Sequence, residues 1–216
     1  MRTFGYPEFL FILEAAKWTL ALSLIAFIGG AILGLVIALG RTSESRPAQF
    51  LATSFIQIFQ GTPLLLQLFL IFFGAPVIGI EINPWIAAGV ALILNSAAFL
   101  GEIWRGCIQA IPRGQVEAAQ ALNLSYAARM RDVVLPQAFK IALPPTVGYV
   151  VQIIKGTSLA AIIGFTELMR AGTIVSNQNF KPLLVLGLVC ALYFALCWPL
   201  SLYGAWLERR LVTAAR

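Results

Sequence analysis

The groups that could do chemistry in this chain are few. None of its 216 residues is histidine, and its three cysteines, Cys107, Cys190 and Cys197, form no CxxC pair. Zinc, haem and triad chemistry draw on those residues, so neither a metal site nor a catalytic site is expected. The cysteines read as small apolar fillers. No G-x-x-x-x-G-K-[ST] loop is present, so ATP phosphates have no cradle of that kind. Glu102 is the one acid inside an apolar segment, and a membrane-embedded enzyme would need paired carboxylates or a nucleophile with its base. What remains is a scatter of polar groups within apolar sequence: Gln60, Thr62 and Gln67; Asn95, Ser96 and Glu102; Lys155, Thr157 and Ser158. Such groups tend to face protein or water rather than lipid, and so can mark a path for a polar solute.

The elements that hold them are membrane spans. The chain is 60% hydrophobic and 11% charged, against about 25% charged in a soluble domain. Uncharged runs of 23, 34, 20 and 26 residues lie between Lys17 and Arg41, Arg46 and Glu81, Glu81 and Glu102, and Lys181 and Glu208. A helix needs roughly 20 apolar residues to cross the hydrocarbon core. The patterns predict one all-α integral membrane domain over 1–216, with five spans at about 19–40, 48–73, 85–104, 141–165 and 183–206. The opening MRTFGYPEFLFILEAAKW lacks a basic start followed by a cleavage site, so no removed signal peptide is expected; it reads as an interfacial lead-in. Gly30 and Gly34 in the first span form a small-xxx-small pair, or reflect the general abundance of glycine in membrane helices. Gly61 and Pro63 break the second span, the APVIGIEINP stretch is a turn-rich loop, and Pro144, Pro145 and Pro199 lie inside later spans. With the C-terminus inside, ten Lys and Arg side chains fall on the inner side and four on the outer, which favours N-out, C-in. The net charge of +6 follows from that bias together with anionic inner-leaflet lipid, and requires no nucleic acid.

The inner side then carries RGQVEAAQALNLSYAARMRDVVLPQA, Arg113 to Ala138. Arg113 to Leu122 are good helix formers, with Val116, Ala119 and Leu122 on one side. Asn123 suits a left-handed helix end and Ser125 suits the cap of a second short helix. There Tyr126, Met130, Val133 and Val134 form an apolar face, while Arg129, Arg131 and Asp132 face away. Small side chains at Ala118 and Ala119 let another backbone approach. The loop is either a knob for a partner's groove or an amphipathic connector on lipid headgroups.

Lys155, midway through the fourth predicted span, admits two functional readings, a contact to a substrate carboxylate or a gating partner. It also admits structural ones: pairing with Glu102 or a backbone carbonyl, or a span boundary that falls elsewhere and leaves Lys155 at an interface. The hydroxyls of Thr62, Ser96, Thr157 and Ser158 can line a path or bond back to their own helix turn. Glu102, three residues before Arg105, fits a helix-surface ion pair or an inner gate.

The run from EAA through Asn123 to the LP of VVLPQA resembles the EAA loop of ABC-importer permease subunits. QGTPLLLQLFLIFFGAP, NSAAFLGEIWRGCIQAIPRGQ, LPQAFKIALPP and KGTSLAAIIGFTEL are similar to the polar amino acid branch, the histidine, arginine, glutamate and glutamine type. In order, these segments cover nearly the whole chain. Two residues depart from the pattern: Asn123 stands where the loop has glycine, and Gly156 stands in KGTSL where the branch commonly has KDTSL.

The resemblance implies a type I ABC-importer permease fold with a cytoplasmic coupling helix in the loop at about 113–136. Its docking residues would be Gly114, Glu117, Ala118, Ala119, Leu122, Asn123 and Leu124. It implies two cytoplasmic ABC ATPase subunits that bind ATP and Mg, with no cofactor in this chain. It further implies a second permease chain, identical or paralogous, an extracytoplasmic solute-binding protein, and residence in a bacterial cytoplasmic (inner) membrane. The expected activity is inward movement of a polar amino acid by alternating access. The alternatives are a different small solute, such as another amino acid derivative or an opine, and an ion channel, though no ring of like charge or filter motif is present.

Overall fold

The computed structural model describes residues 4–214, with side chains through residue 211, and these residues form helices and loops without a strand. Arg2 and Arg216, two of the side chains counted in the charge bias, lie outside the described residues. Helix α1 runs unbroken from Tyr6 to Thr42, so residues 6–18 of the expected lead-in continue into the first span as one helix. Pro7 sits in the first turn, where a missing N–H costs nothing. The Glu8 carboxylate accepts the Gly5 N–H at 3.0 Å, and no breaker follows. The 37 residues extend about 55 Å, well beyond a hydrocarbon core of about 30 Å.

One stripe of α1, including Thr19, Leu22, Ala26, Gly30, Gly34 and Ala38, is buried. It lies against α4 (Pro84–Gln109). A Cβ on Gly30 would come 2.5 Å from the Ser96 Cβ, and one on Gly34 3.1 Å from the Ala97 carbonyl. The glycine pair therefore serves a contact within the chain. Leu22 and Ala26 of α1 join Ala87, Ala88, Ala91 and Leu92 of α4, Leu68 and Ile153 in the main core.

The expected second span is two helices, α2 (Arg46–Gly61) and α3 (Leu64–Val77), bent by 99°. Thr62 and Pro63 are extended between them. Proline disfavours helical backbone in the residue before it and donates no hydrogen bond, so the break falls there. α4 begins at Pro84 with the Asn83 side chain accepting the Ile86 N–H at 2.9 Å.

α5 (Arg113–Ala121) and α6 (Tyr126–Arg129) form the loop. A π-helical turn, Met130–Val134, carries α6 directly into α7 (Leu135–Gly156). The fourth predicted span, 141–165, is thus shifted: α7 starts earlier and ends at Gly156, followed by a 3-10 turn over Thr157–Ala161. A further helix, α8 (Leu168–Asn179), occupies a stretch between the predicted spans where the sequence reading placed no element. α9 (Pro182–Ala214) completes the described chain, with Pro199 inside it. Among the described residues, α1, α4 and α9 are long and apolar enough to cross a membrane, four spans in all if the bent pair α2–α3 counts as one. α7 carries Lys140, two interior prolines, Gln152 and Lys155 and does not reach the same apolarity.

Candidate functional site

The loop is organised around its left-handed residue. Asn123 has φ 55°. Its N–H donates to the Gln120 carbonyl at 2.8 Å, and the Leu124 N–H donates to the Ala119 carbonyl at 3.1 Å. These two bonds define a Schellman closure, so the predicted helix end is correct in kind and in place. Ser125 accepts the Ala128 N–H at 3.3 Å as the predicted cap of α6. Beneath the loop, Ile111, Val134 and Ala138 form a small core against which Val116 and Met130 pack.

Ala119 is buried, whereas Glu117, Ala118 and Leu122 are exposed, Leu122 to 77%. The expected shared face for Val116, Ala119 and Leu122 is corrected: Leu122 is the C-cap of α5 and has turned off the buried side. Asp132 does face outward, with Arg131 donating to both of its oxygens at 2.8 and 3.3 Å. That pairing holds the Asp132 carboxyl below its ordinary range. Arg129 does not face away; its side chain is only 12% exposed and lies 3.4 Å from Glu44.

A second cluster forms at the α2–α3 break. Gln67 is buried, and its Nε2 reaches the Phe59 carbonyl (2.8 Å), the Thr62 hydroxyl (2.9 Å) and the Thr62 carbonyl (3.1 Å). Its Oε1 accepts from Asn95 Nδ2 at 3.2 Å, and Asn95 Oδ1 accepts from the Tyr149 hydroxyl at 3.4 Å. Gln60 donates to the Ala98 carbonyl at 3.2 Å. The Phe59 and Thr62 carbonyls at the break are thereby satisfied from inside the protein, as lipid requires. Of the residues expected to mark a solute path, Thr62, Gln67 and Asn95 are hydrogen-bonded together, with Gln60 and buried Ser96 beside them. Much of their hydrogen-bonding capacity is spent on one another and on backbone.

Glu102 accepts from Arg105 Nε at 2.8 Å, and Arg105 also reaches Gln109, so the helix-surface pair is the arrangement observed. Lys155 does not sit midway along a span. It lies in the last turn of α7, exposed, and lines a groove between α7 and α9 of about 710 Å³. Gln152 shares its wall, and Ser201 and Glu208 stand on the other. Thr157 is buried and donates to the Ile154 carbonyl, and Ser158 donates to the Lys155 carbonyl, each at 2.7 Å. Thr62 likewise donates to the Ile58 carbonyl at 2.7 Å. These three hydroxyls bond back to their own turns.

The sequence reading missed Glu167. Fully buried at the start of α8, its carboxylate accepts from the Tyr193 hydroxyl at 2.6 Å, the Arg170 N–H at 2.8 Å and the Thr19 hydroxyl at 3.4 Å. Burial raises its pKa, opposed by those hydrogen bonds. It joins α1, α8 and α9 at one point. The available signal was an acid directly ahead of Leu168, Ala171 and Val175 at helical spacing. Among the described residues no group of three potential ligands could hold a metal ion.

The family described as "Binding-protein-dependent transport system inner membrane component" matches residues 17–213. The chain is 40% identical over 210 residues to "Arginine transport system permease protein ArtQ" of Bacillus subtilis, covering 95% of this chain and 94% of that protein. It is 36% identical over 203 residues to "Probable amino-acid ABC transporter permease protein YckA" of the same organism, covering 94% and 90%. A crystal structure of an amino acid ABC transporter with histidines superposes with a TM-score of 0.88 at 33% identity, over 97% of this chain and all of that one. An inward-facing structure of the MetNI methionine ABC transporter shares the fold, with a TM-score of 0.78 at 20% identity, over 99% of this chain and 100% of that one.

Proposed function

We infer from one premise: this chain belongs to the binding-protein-dependent transport system inner membrane component family. It is an ABC-transporter permease subunit, a membrane component and not an enzyme, and ATP hydrolysis belongs to a separate subunit. The cargo we propose is a polar amino acid, moved inward by alternating access across a bacterial inner membrane. In this proposal the chain crosses the bilayer five times, with α1, the bent pair α2–α3, α4, α7 and α9, N-terminus out and C-terminus in. Two such permease chains, identical or paralogous, stand on two cytoplasmic ATPase subunits that bind ATP and Mg. An extracytoplasmic solute-binding protein delivers the cargo.

The observation that carries this reading is the loop at 113–136. Its Schellman closure fixes the α5–α6 corner, and Glu117, Ala118 and Leu122 project from it while Ala119 is held beneath. Gly114, Asn123 and Leu124 complete the docking edge. Closing the two ATPase subunits pulls this corner, and the π turn passes the displacement covalently into α7. The solute path follows the α7–α9 groove past Gln152 and Lys155, where a cation can meet a substrate carboxylate. Gln60, Thr62, Gln67, Asn95 and Ser96 brace its wall at the break, the Glu102–Arg105 pair stands at the inner mouth, and Thr157 and Ser158 close the turn beyond Lys155.

The test is competition uptake into vesicles holding the purified complex and its binding protein. One class of polar amino acid should compete, and Lys155→Met should lower uptake while the ATPase subunits stay bound. Conduction without an ATPase would identify a channel and refute the proposal.

A further inference from the structure

The coupling loop touches the structure in a place that its relay into α7 does not use. The Tyr126 hydroxyl donates to the Thr42 carbonyl at 3.2 Å. Thr42 is the last residue of α1, so its carbonyl is among those a helix end leaves without an intrahelical partner. One turn along α6, Arg129 lies across the Tyr126 ring, 5.4 Å from its centroid, and 3.4 Å from the Glu44 carboxylate. The Arg129 side chain is 12% exposed and Glu44 is 77% exposed. The acid reaches in from solvent to a covered cation, and covered charges need such a partner.

The segment they grip is stiff. Arg41 donates to the Thr53 hydroxyl at 2.8 Å, Gln49 to the Ser43 carbonyl at 2.7 Å, and Ser43 to the Gly40 carbonyl at 2.8 Å. These bonds tie the end of α1 to the start of α2, so a push on Thr42 or Glu44 moves both helices. α1 in turn meets α4 through Gly30 and Gly34 with no room for a Cβ. Packed contacts this close shift as units.

We propose that the coupling loop has two outputs: α7, through the π turn, and the α1–α2 corner, through Tyr126 and Arg129. These two side chains are positioning residues for the coupling of hydrolysis to transport. The inference rests on the reading that residues 113–136 face the ATPase.

The test uses the full complex with its binding protein in proteoliposomes and measures solute moved per ATP, with the complex's thermal midpoint read in parallel. Tyr126→Phe removes only a hydroxyl and Glu44→Gln only a charge. The double variant should move about fivefold less solute per ATP, the lower end of ordinary coupling between sites, with an unchanged midpoint. Arg129→Lys, which keeps the charge but loses the planar contact over the Tyr126 ring, should fall between wild type and the double variant. Glu117→Lys is the control for the underlying reading. If Glu117→Lys uncouples and the double variant does not, the second output is refuted and the reading stands. If Glu117→Lys has no effect, the reading falls and takes the inference with it. A lowered midpoint with solute per ATP unchanged would make the clamp structural only and overturn the proposal.

Discussion

Replacing Gln67 with leucine tests whether the polar cluster at the α2–α3 break holds the bend. Leucine is close in volume, so the change removes hydrogen bonds with little loss of packing. The two Nε2 hydrogens of Gln67 serve the Phe59 carbonyl, the Thr62 hydroxyl and the Thr62 carbonyl, and its Oε1 accepts from Asn95. Three bonds are lost at roughly 1 kcal/mol each, or about 0.6 each on the average for membrane proteins. Asn95 Nδ2 keeps only a contact of 3.5 Å to the Phe59 carbonyl. The expected cost is about 2–4 kcal/mol, a fall of roughly 5–15 °C in thermal midpoint for a chain of this size. Scanning fluorimetry of the detergent-purified complex reads that shift. Leu70→Met, at a site one turn on and 73% exposed, should melt like wild type. If Gln67→Leu also melts within about 1 °C of wild type, the cluster does not hold the break and the argument is wrong.

Three other outcomes follow from the geometry. Asn123→Gly should keep or raise the midpoint and Asn123→Val should lower it, since a left-handed residue with a Cβ costs about 1–2 kcal/mol; equal midpoints would remove the capping argument. Gly30→Leu should destabilise by at least about 1–3 kcal/mol, because even a Cβ there would lie 2.5 Å from Ser96; a silent substitution would mean that α1 and α4 do not meet at Gly30. The raised pKa of Glu167 means the folded state binds its proton more readily than the unfolded chain. Its contribution is therefore present at low pH and is lost as pH climbs above the ordinary 4.5 and through the folded value. Glu167→Gln should flatten that slope in a midpoint-versus-pH series, and an unchanged slope would locate the titration elsewhere.

How much of this was legible in the sequence depended on whether the controlling interaction was local. The Asn123 corner and the Ser125 cap were readable because both are set by residues within one turn. The break at Gly61–Pro63 was readable for the same reason, but its 99° angle was not, because the hydrogen bonds that span it come from Gln67 on α3 and Asn95 on α4. Lys155 was misplaced because apolar sequence continues through Leu159 to Phe165, while α7 stops at Gly156 and the chain tightens into a 3-10 turn. Arg129 was misread because Glu44 is a distant residue in the chain, and periodicity in a short helix carries no trace of such a partner. α8 is only 12 residues long, too short to span, and its start is set by Glu167, whose partners Thr19 and Tyr193 lie on other helices.

The most direct measurement is a cross-link from the loop. With Cys107, Cys190 and Cys197 replaced, a single cysteine at Ala118 in the full complex should bond to a cysteine series on the surface of the ATPase subunit, and the yield should change with nucleotide. Bonding only to lipid-embedded sites, or none at any nucleotide state, would contradict force transfer through residues 113–136.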